Sequence, residues 1–137
     1  MSTRPDSSLL TSAILESNQQ AIKHISAQLC QQAIRTDAGT YWEVTISGYA
    51  GATYKGFAPG LAHGTAGIVL ALAEVERVFP SPNRKAILLE AAQWLCGAAT
   101  TEQTEDYSYF TGRMGIVKAL IAGYRISADS LWLQEAE

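Results

Sequence analysis

The sequence predicts an all-α fold built from repeated helical hairpins. Three observations predict it. Four stretches carry apolar residues at helical spacing, with a fifth begun near the last residues. The second and fourth stretches match without a gap at a shift of 48 residues. The 137 residues are 47% hydrophobic and 17% charged, which allows a real core and excludes an intrinsically disordered chain.

The first helix is expected from about Ser8 to Arg35, a run without Gly or Pro. Ile22, Ile25, Leu29 and Ala33 recur at spacings of three and four and predict one buried face. A Gly-rich loop is expected next, about Thr36 to Leu61, with Tyr41 to Ile46 as a short strand or an extended segment. Loops of that length inside a compact domain are usually functional. The second helix starts near Gly64, and Ala66 to Ala73 is apolar all round, which predicts burial on every side. Phe79-Pro80-Ser81-Pro82 breaks the chain, with Ser81 suited to an N-cap and Pro82 to a first turn. The third helix is expected over about Pro82 to Ala99. A polar, acidic linker, Thr101 to Asp106, leads to a fourth helix from about Gly112 to Arg125. Asp129 can cap a further helix over 130–137.

The self-match lays Gly64-Thr65-Ala66-Gly67-Ile68-Val69-Leu70-Ala71-Leu72 over Gly112-Arg113-Met114-Gly115-Ile116-Val117-Lys118-Ala119-Leu120, with six of nine positions identical. Arg77 falls over Arg125 in the same register. A fixed period of this size marks stacked helical hairpins. One domain, 1–137, is therefore expected: a first repeat over about 8–79, a second over about 82–126, and a third outer helix begun at 130–137. Gly60, Gly64, Gly67, Gly112 and Gly115 cluster at the starts of the two inner helices. There they suit close backbone approach, and open amides at those starts would favour an anion. Close helix packing alone is the plainer reading.

Gly60-Leu61-Ala62-His63-Gly64-Thr65-Ala66-Gly67-Ile68 and its second copy, Gly112 to Leu120, resemble the lanthionine synthetase C family of lanthipeptide cyclases. So do Tyr124-Arg125-Ile126-Ser127-Ala128-Asp129 followed by Trp132-Leu133, and the opening helix ending Ala33-Ile34-Arg35 before Trp42. The similarity is read from about Leu9 onward. It implies an α/α toroid of seven inner helices ringed by seven outer ones, of which about two of the seven repeats are present. It also implies addition of peptide cysteine thiols to dehydroalanine or dehydrobutyrine, giving thioether rings in a ribosomal precursor peptide. Zinc, held in the complete family domain by a Cys and a Cys-His pair, would activate the thiol.

By the same resemblance His63 is the catalytic candidate, a proton donor or acceptor near the metal; its ordinary pKa of about 6.5 suits that role. A loop histidine bonded to a backbone carbonyl is the bland alternative. Arg113 and Tyr109 are candidate substrate-binding residues. A surface ion pair for Arg113, and packing of Tyr107, Tyr109 and Phe110 against the fourth helix, are the commoner roles. Packing is also expected of Trp42, Trp94 and Trp132. The sequence contains no Cys-His dipeptide, and Cys30 and Cys96 fall in outer helices as structural residues. No metal ligands are expected from this chain, no cofactor is expected to be held by it, and it is expected to be inactive by itself. The partners implied are a precursor peptide or the remainder of the toroid, with self-association as a further possibility. A non-catalytic helical repeat module that binds a peptide or protein is the alternative function. A glycoside hydrolase of six hairpins would want two flanking carboxylates, and no such pair stands near the Gly loops.

A formal charge of −3 gives no basic footprint for nucleic acid. Two cysteines exclude a disulfide scaffold. The uncharged run from Phe57 to Ala73 is broken by Pro59 and three glycines and is too short for a span. The polar first residues lack a secretion signal, so a cytoplasmic location is expected.

Overall fold

The structure is a computed structural model that describes residues 7–101 and 107–127. Four helices dominate it: α1 (Ser7–Gln32), α2 (Thr65–Val78), α3 (Pro82–Thr101) and α4 (Arg113–Ser127). The helical class therefore holds, with one correction. The segment expected as a long loop, with a short strand or extended run over Tyr41 to Ile46, folds into two antiparallel hairpins, β1 (Ile34–Thr36) with β2 (Gly39–Tyr41), and β3 (Glu43–Ser47), which largely falls within that run, with β4 (Thr53–Phe57). Arg35 pairs with Thr40 in the first, and Thr45 with Lys55 in the second. The expected helix over 130–137, with Trp132, lies outside the described residues.

The core lies between α2, α3 and α4. Val69, Leu72, Leu88, Leu95, Ile116 and Leu120 are buried there, joined by Trp42 from the inter-hairpin turn. α2 and α4 run parallel. Their starting loops are bonded to each other, and their last turns, at Arg77 and Arg125, border one cleft. α3 returns antiparallel against both.

α2 is not buried all round as expected. Thr65, Ala66, Val69, Leu72, Ala73 and Glu76 are buried, while Ala71 is exposed and Ile68 and Leu70 are half-buried. α1 is corrected more strongly. Of its 26 residues only Ser26 is buried, and Ile22 and Ile25, expected inside, are exposed. The apolar stripe runs on through Leu10 and Ile14, which are also exposed. The helix meets the body only through its last turns, near Leu29 and Cys30.

Two polar anchors hold the outer pieces. Trp42 donates Nε1–H to the Leu29 carbonyl at 2.7 Å, seating the hairpins on the end of α1. Glu90 of α3 accepts from Arg35 Nε at 2.7 Å, from its second guanidinium nitrogen, and from Thr40 Oγ1 at 2.8 Å, which clamps the β1–β2 hairpin to α3. Gly39 closes that hairpin at φ +118°, where a side chain would be strained and would collide with the α3 backbone at Trp94. A third anchor is buried. Arg84 Nη1 donates to Glu76 at 3.1 Å and to the Phe79 carbonyl at 2.6 Å, and Nη2 donates to Ser26 Oγ at 3.2 Å. One guanidinium thus ties α1, α2 and α3 together.

Candidate functional site

The loop before α2 doubles back over the helix it starts. Thr65 N–H donates to the Ala58 carbonyl at 2.9 Å and Ala66 N–H to the Pro59 carbonyl at 3.2 Å. The first two amides of α2 are therefore occupied by the chain itself. The expectation of an anion-receptive helix start is corrected at α2, because those donors are already satisfied.

The glycines make this crossing possible. A Cβ on Gly67 would collide with the Leu61 carbonyl oxygen, and one on Gly115 would meet the Tyr109 carbonyl oxygen at 2.5 Å. Each carbonyl belongs to the residue six positions earlier, and Leu61 and Tyr109 are themselves 48 apart. The same latch is thus built twice. The two loops also touch each other. Ala62 N–H donates to the Phe110 carbonyl at 2.9 Å, and Gly60 lies against Phe110 and Thr111, with room for only a tight Cβ at 3.3 Å. Gly64 caps α2 and Gly112 precedes α4, so all five helix-start glycines stand at this junction.

His63 occupies the turn leading into α2 and is exposed. It lines an open cleft of about 450 Å³. Gly67, Ile68 and Ala71 of α2 form the floor. The facing wall comes from Leu29 at the end of α1 and from Val44 and Thr45 of β3. The space is mostly apolar with one imidazole at its edge, an arrangement that can take an extended peptide side chain and exchange a proton with it.

Arg113 opens α4 and is half-buried, with its guanidinium 5.8 Å from the centre of the Tyr107 ring, a cation–π distance. Tyr109 and Phe110 meet edge to face at 5.2 Å. Packing of Tyr107, Tyr109 and Phe110 against α4 is corrected: they are 63%, 46% and 63% exposed. Neither Arg113 nor Tyr109 lines the His63 cleft. The structure joins the two loops through their backbones but sets the candidate side chains on separate surfaces.

Cys30 and Cys96 are half-buried in α1 and α3. Burial pushes the Cys30 thiol up, against a smaller opposing pull from Arg84, so it is held as a neutral thiol. Among the described residues no three His, Cys, Asp or Glu side chains gather to hold a metal ion, so the zinc implied by the resemblance finds no fitting ligand set there. No described helix is long and apolar enough to cross a membrane.

Sequence reasoning missed the cleft wall. The alternation over Tyr41 to Ile46 was the available signal for β3. It also missed Arg84 and Glu76, which look in sequence like ordinary surface charges. A family model described as lanthionine synthetase C-like protein matches residues 57–137, more than half of the chain. The match takes in β4's last residue and α2 to α4, and begins later than the resemblance read from Leu9. No curated protein and no solved structure matches the chain.

Proposed function

The chain belongs to the lanthionine synthetase C-like family, and from that premise we propose that it is part of a thioether-forming cyclase acting on a dehydrated ribosomal peptide. In this reading α2 and α4 are two of seven inner helices of an α/α toroid. The remaining repeats, and any zinc ligands, come from polypeptide outside the described residues. Zinc, when bound in the complete domain, would make the substrate thiol more acidic.

The reaction joins a peptide cysteine to a dehydroalanine or dehydrobutyrine. A sulfur lone pair forms the C–S bond at Cβ, the Cα=Cβ pair moves to Cα as an enolate, and Cα then takes a proton. His63 serves as the group that removes the thiol proton or returns one to Cα. It can exchange that proton with bulk water because it is exposed. The cleft floor, Gly67, Ile68 and Ala71, accommodates the dehydrated residue.

The observation that carries this reading is His63 at the rim of an apolar cleft, on the loop that starts the family-matched helices. The test uses a synthetic peptide with one dehydroalanine and one cysteine, incubated with zinc and with the chain completed by the remaining repeats of the family domain, since the chain by itself is expected to be inactive. Loss of free thiol and thioether formation are followed by mass spectrometry. Ring formation above the spontaneous rate, reduced about 100-fold or more in His63→Asn, is the expected result. A spontaneous rate with the wild-type chain, or an undiminished His63→Asn, removes the catalytic reading.

A second reading is a non-catalytic module that binds a peptide. The exposed ring pair Tyr109 and Phe110, with exposed Tyr107 5.8 Å from the Arg113 guanidinium, favours it, since exposed aromatics and a guanidinium suit peptide recognition. Peptide binding without ring formation, weakened by Tyr109→Ala, would support this reading over the first.

A further inference from the structure

At the end of the helices away from His63, the last turns of α2 and α4 and the first turn of α3 enclose a second cleft of about 470 Å³. Its floor is apolar, made by Ala73 of α2 and by Ala122 and Ile126 of α4. Arg77, Arg125 and Lys85 stand around it. Arg77 and Arg125 occupy matching positions of the two inner helices. Each ends its own helix, where the last carbonyls favour a cation.

Lys85 has no such reason to be there. It lies in the first turns of α3, where the helix dipole opposes a positive charge, and that first turn holds no acidic residue to offset it. Two carboxylates also border the cleft, and each has a cation beside it. Glu76 is held by Arg84 at 3.1 Å and Glu74 by Arg77 at 3.0 Å. Among the described residues neither Lys85 nor Arg125 has an ion-pair partner. Two cations without a partner therefore flank an apolar floor between parallel helices.

The geometry points to this cleft as a docking site for an acidic polypeptide segment bearing an apolar side chain. The apolar side chain covers Ala73, Ala122 and Ile126, and carboxylates on either side of it reach Lys85 and Arg125. The guanidinium takes a carboxylate through two parallel hydrogen bonds, which gives the site direction as well as charge. α2 is 14 residues long, so the site lies about 20 Å from His63 and is independent of the chemistry proposed there.

The test is fluorescence anisotropy with the full chain and a dye-labelled peptide, Glu-Glu-Leu-Glu-Glu, against its neutral counterpart Gln-Gln-Leu-Gln-Gln. The acidic peptide is expected to bind, more weakly as salt is raised. Lys85→Gln with Arg125→Gln should weaken it about fivefold, the effect of two exposed ion pairs. Lys118→Gln, exposed on α4 and outside the cleft, should leave it unchanged. Equal binding of the neutral peptide, no binding to the wild-type chain, or undiminished binding in the double variant would overturn the proposal. So would a double variant that melts at lower temperature while the wild type takes no peptide, since the cleft would then hold a segment of the chain itself.

Discussion

Arg84 and Glu76 have side chains only 10% and 8% exposed. Two charges out of water are tolerable there because most of their hydrogen bonds are made: Glu76 also accepts from Ser81 N–H at 2.9 Å, and Arg84 reaches Ser26 and Phe79 through Nη1 and Nη2, while its buried Nε has no partner among the described residues. Removing one partner strands the other. Glu76→Ala is expected to cost about 3–5 kcal/mol in urea unfolding, whereas loss of an exposed pair such as Glu74–Arg77 costs about 0–1 kcal/mol. A cost below 1 kcal/mol for Glu76→Ala would show that the pair is not the buried anchor described. Glu90 gives a different signature. The hydrogen bond from Arg35 holds its carboxyl below the ordinary 4.5, helped by Thr40 and opposed by slight burial. Its folded-state value is depressed, so its contribution is present above the ordinary glutamate value and is lost as pH falls through the lowered one. Melting temperature followed from neutral pH downward should show a smaller acid-side loss in Arg35→Gln than in the wild type. Equal slopes would remove Glu90 from the account of acid stability. None of this was visible in the sequence, where a buried charge and a solvated one are written with the same letters.

The helix-start glycines were legible as a pattern, and their spacing carried over into a geometric fact. Gly67 and Gly115 each take a carbonyl where a Cβ would stand. Gly67→Ala and Gly115→Ala should each cost about 1–3 kcal/mol, while Gly97→Ala, whose added methyl meets nothing within 4 Å in α3, should gain up to about 1 kcal/mol. Thermal melts of the three variants separate a packing constraint from mere helix propensity; a neutral Gly115→Ala would refute the latch. α2, α3 and α4 were also legible, to within two residues at each boundary, because their apolar spacing faces a shared core. α1 was legible as a helix but not in its surroundings. Periodicity says which residues share a face, and it is silent on whether anything covers that face. Of the hairpins only the extended run over Tyr41 to Ile46 was legible, and their pairing was hidden for a related reason: the other strands, three to five residues long and broken by glycine, leave too few alternations to register.

Across the whole molecule, apolar surface is unevenly spent. The core holds α2 to α4 together, while α1 carries Leu9, Leu10, Ile14, Leu15, Ile22 and Ile25 in the open. A patch of that kind promotes association. Light scattering should show mass rising with concentration, and Leu10→Gln with Ile14→Gln should lower that rise without lowering the melting temperature. A monomer at every concentration, or a melting temperature that falls in the double variant, would contradict it.

Trp42 has a consequence for how relatives can differ. Its indole and its backbone, the latter 3.4 Å from Thr65 Oγ1, are the rivet between a helical base shared with the family and a facing panel, Leu29 with Val44 and Thr45, that precedes the matched residues. One flank of the groove thus lies within the family-matched residues and the opposite flank before them. On the proposed reading, a change of selectivity falls to the panel around a fixed rivet, leaving the turn that carries the imidazole untouched.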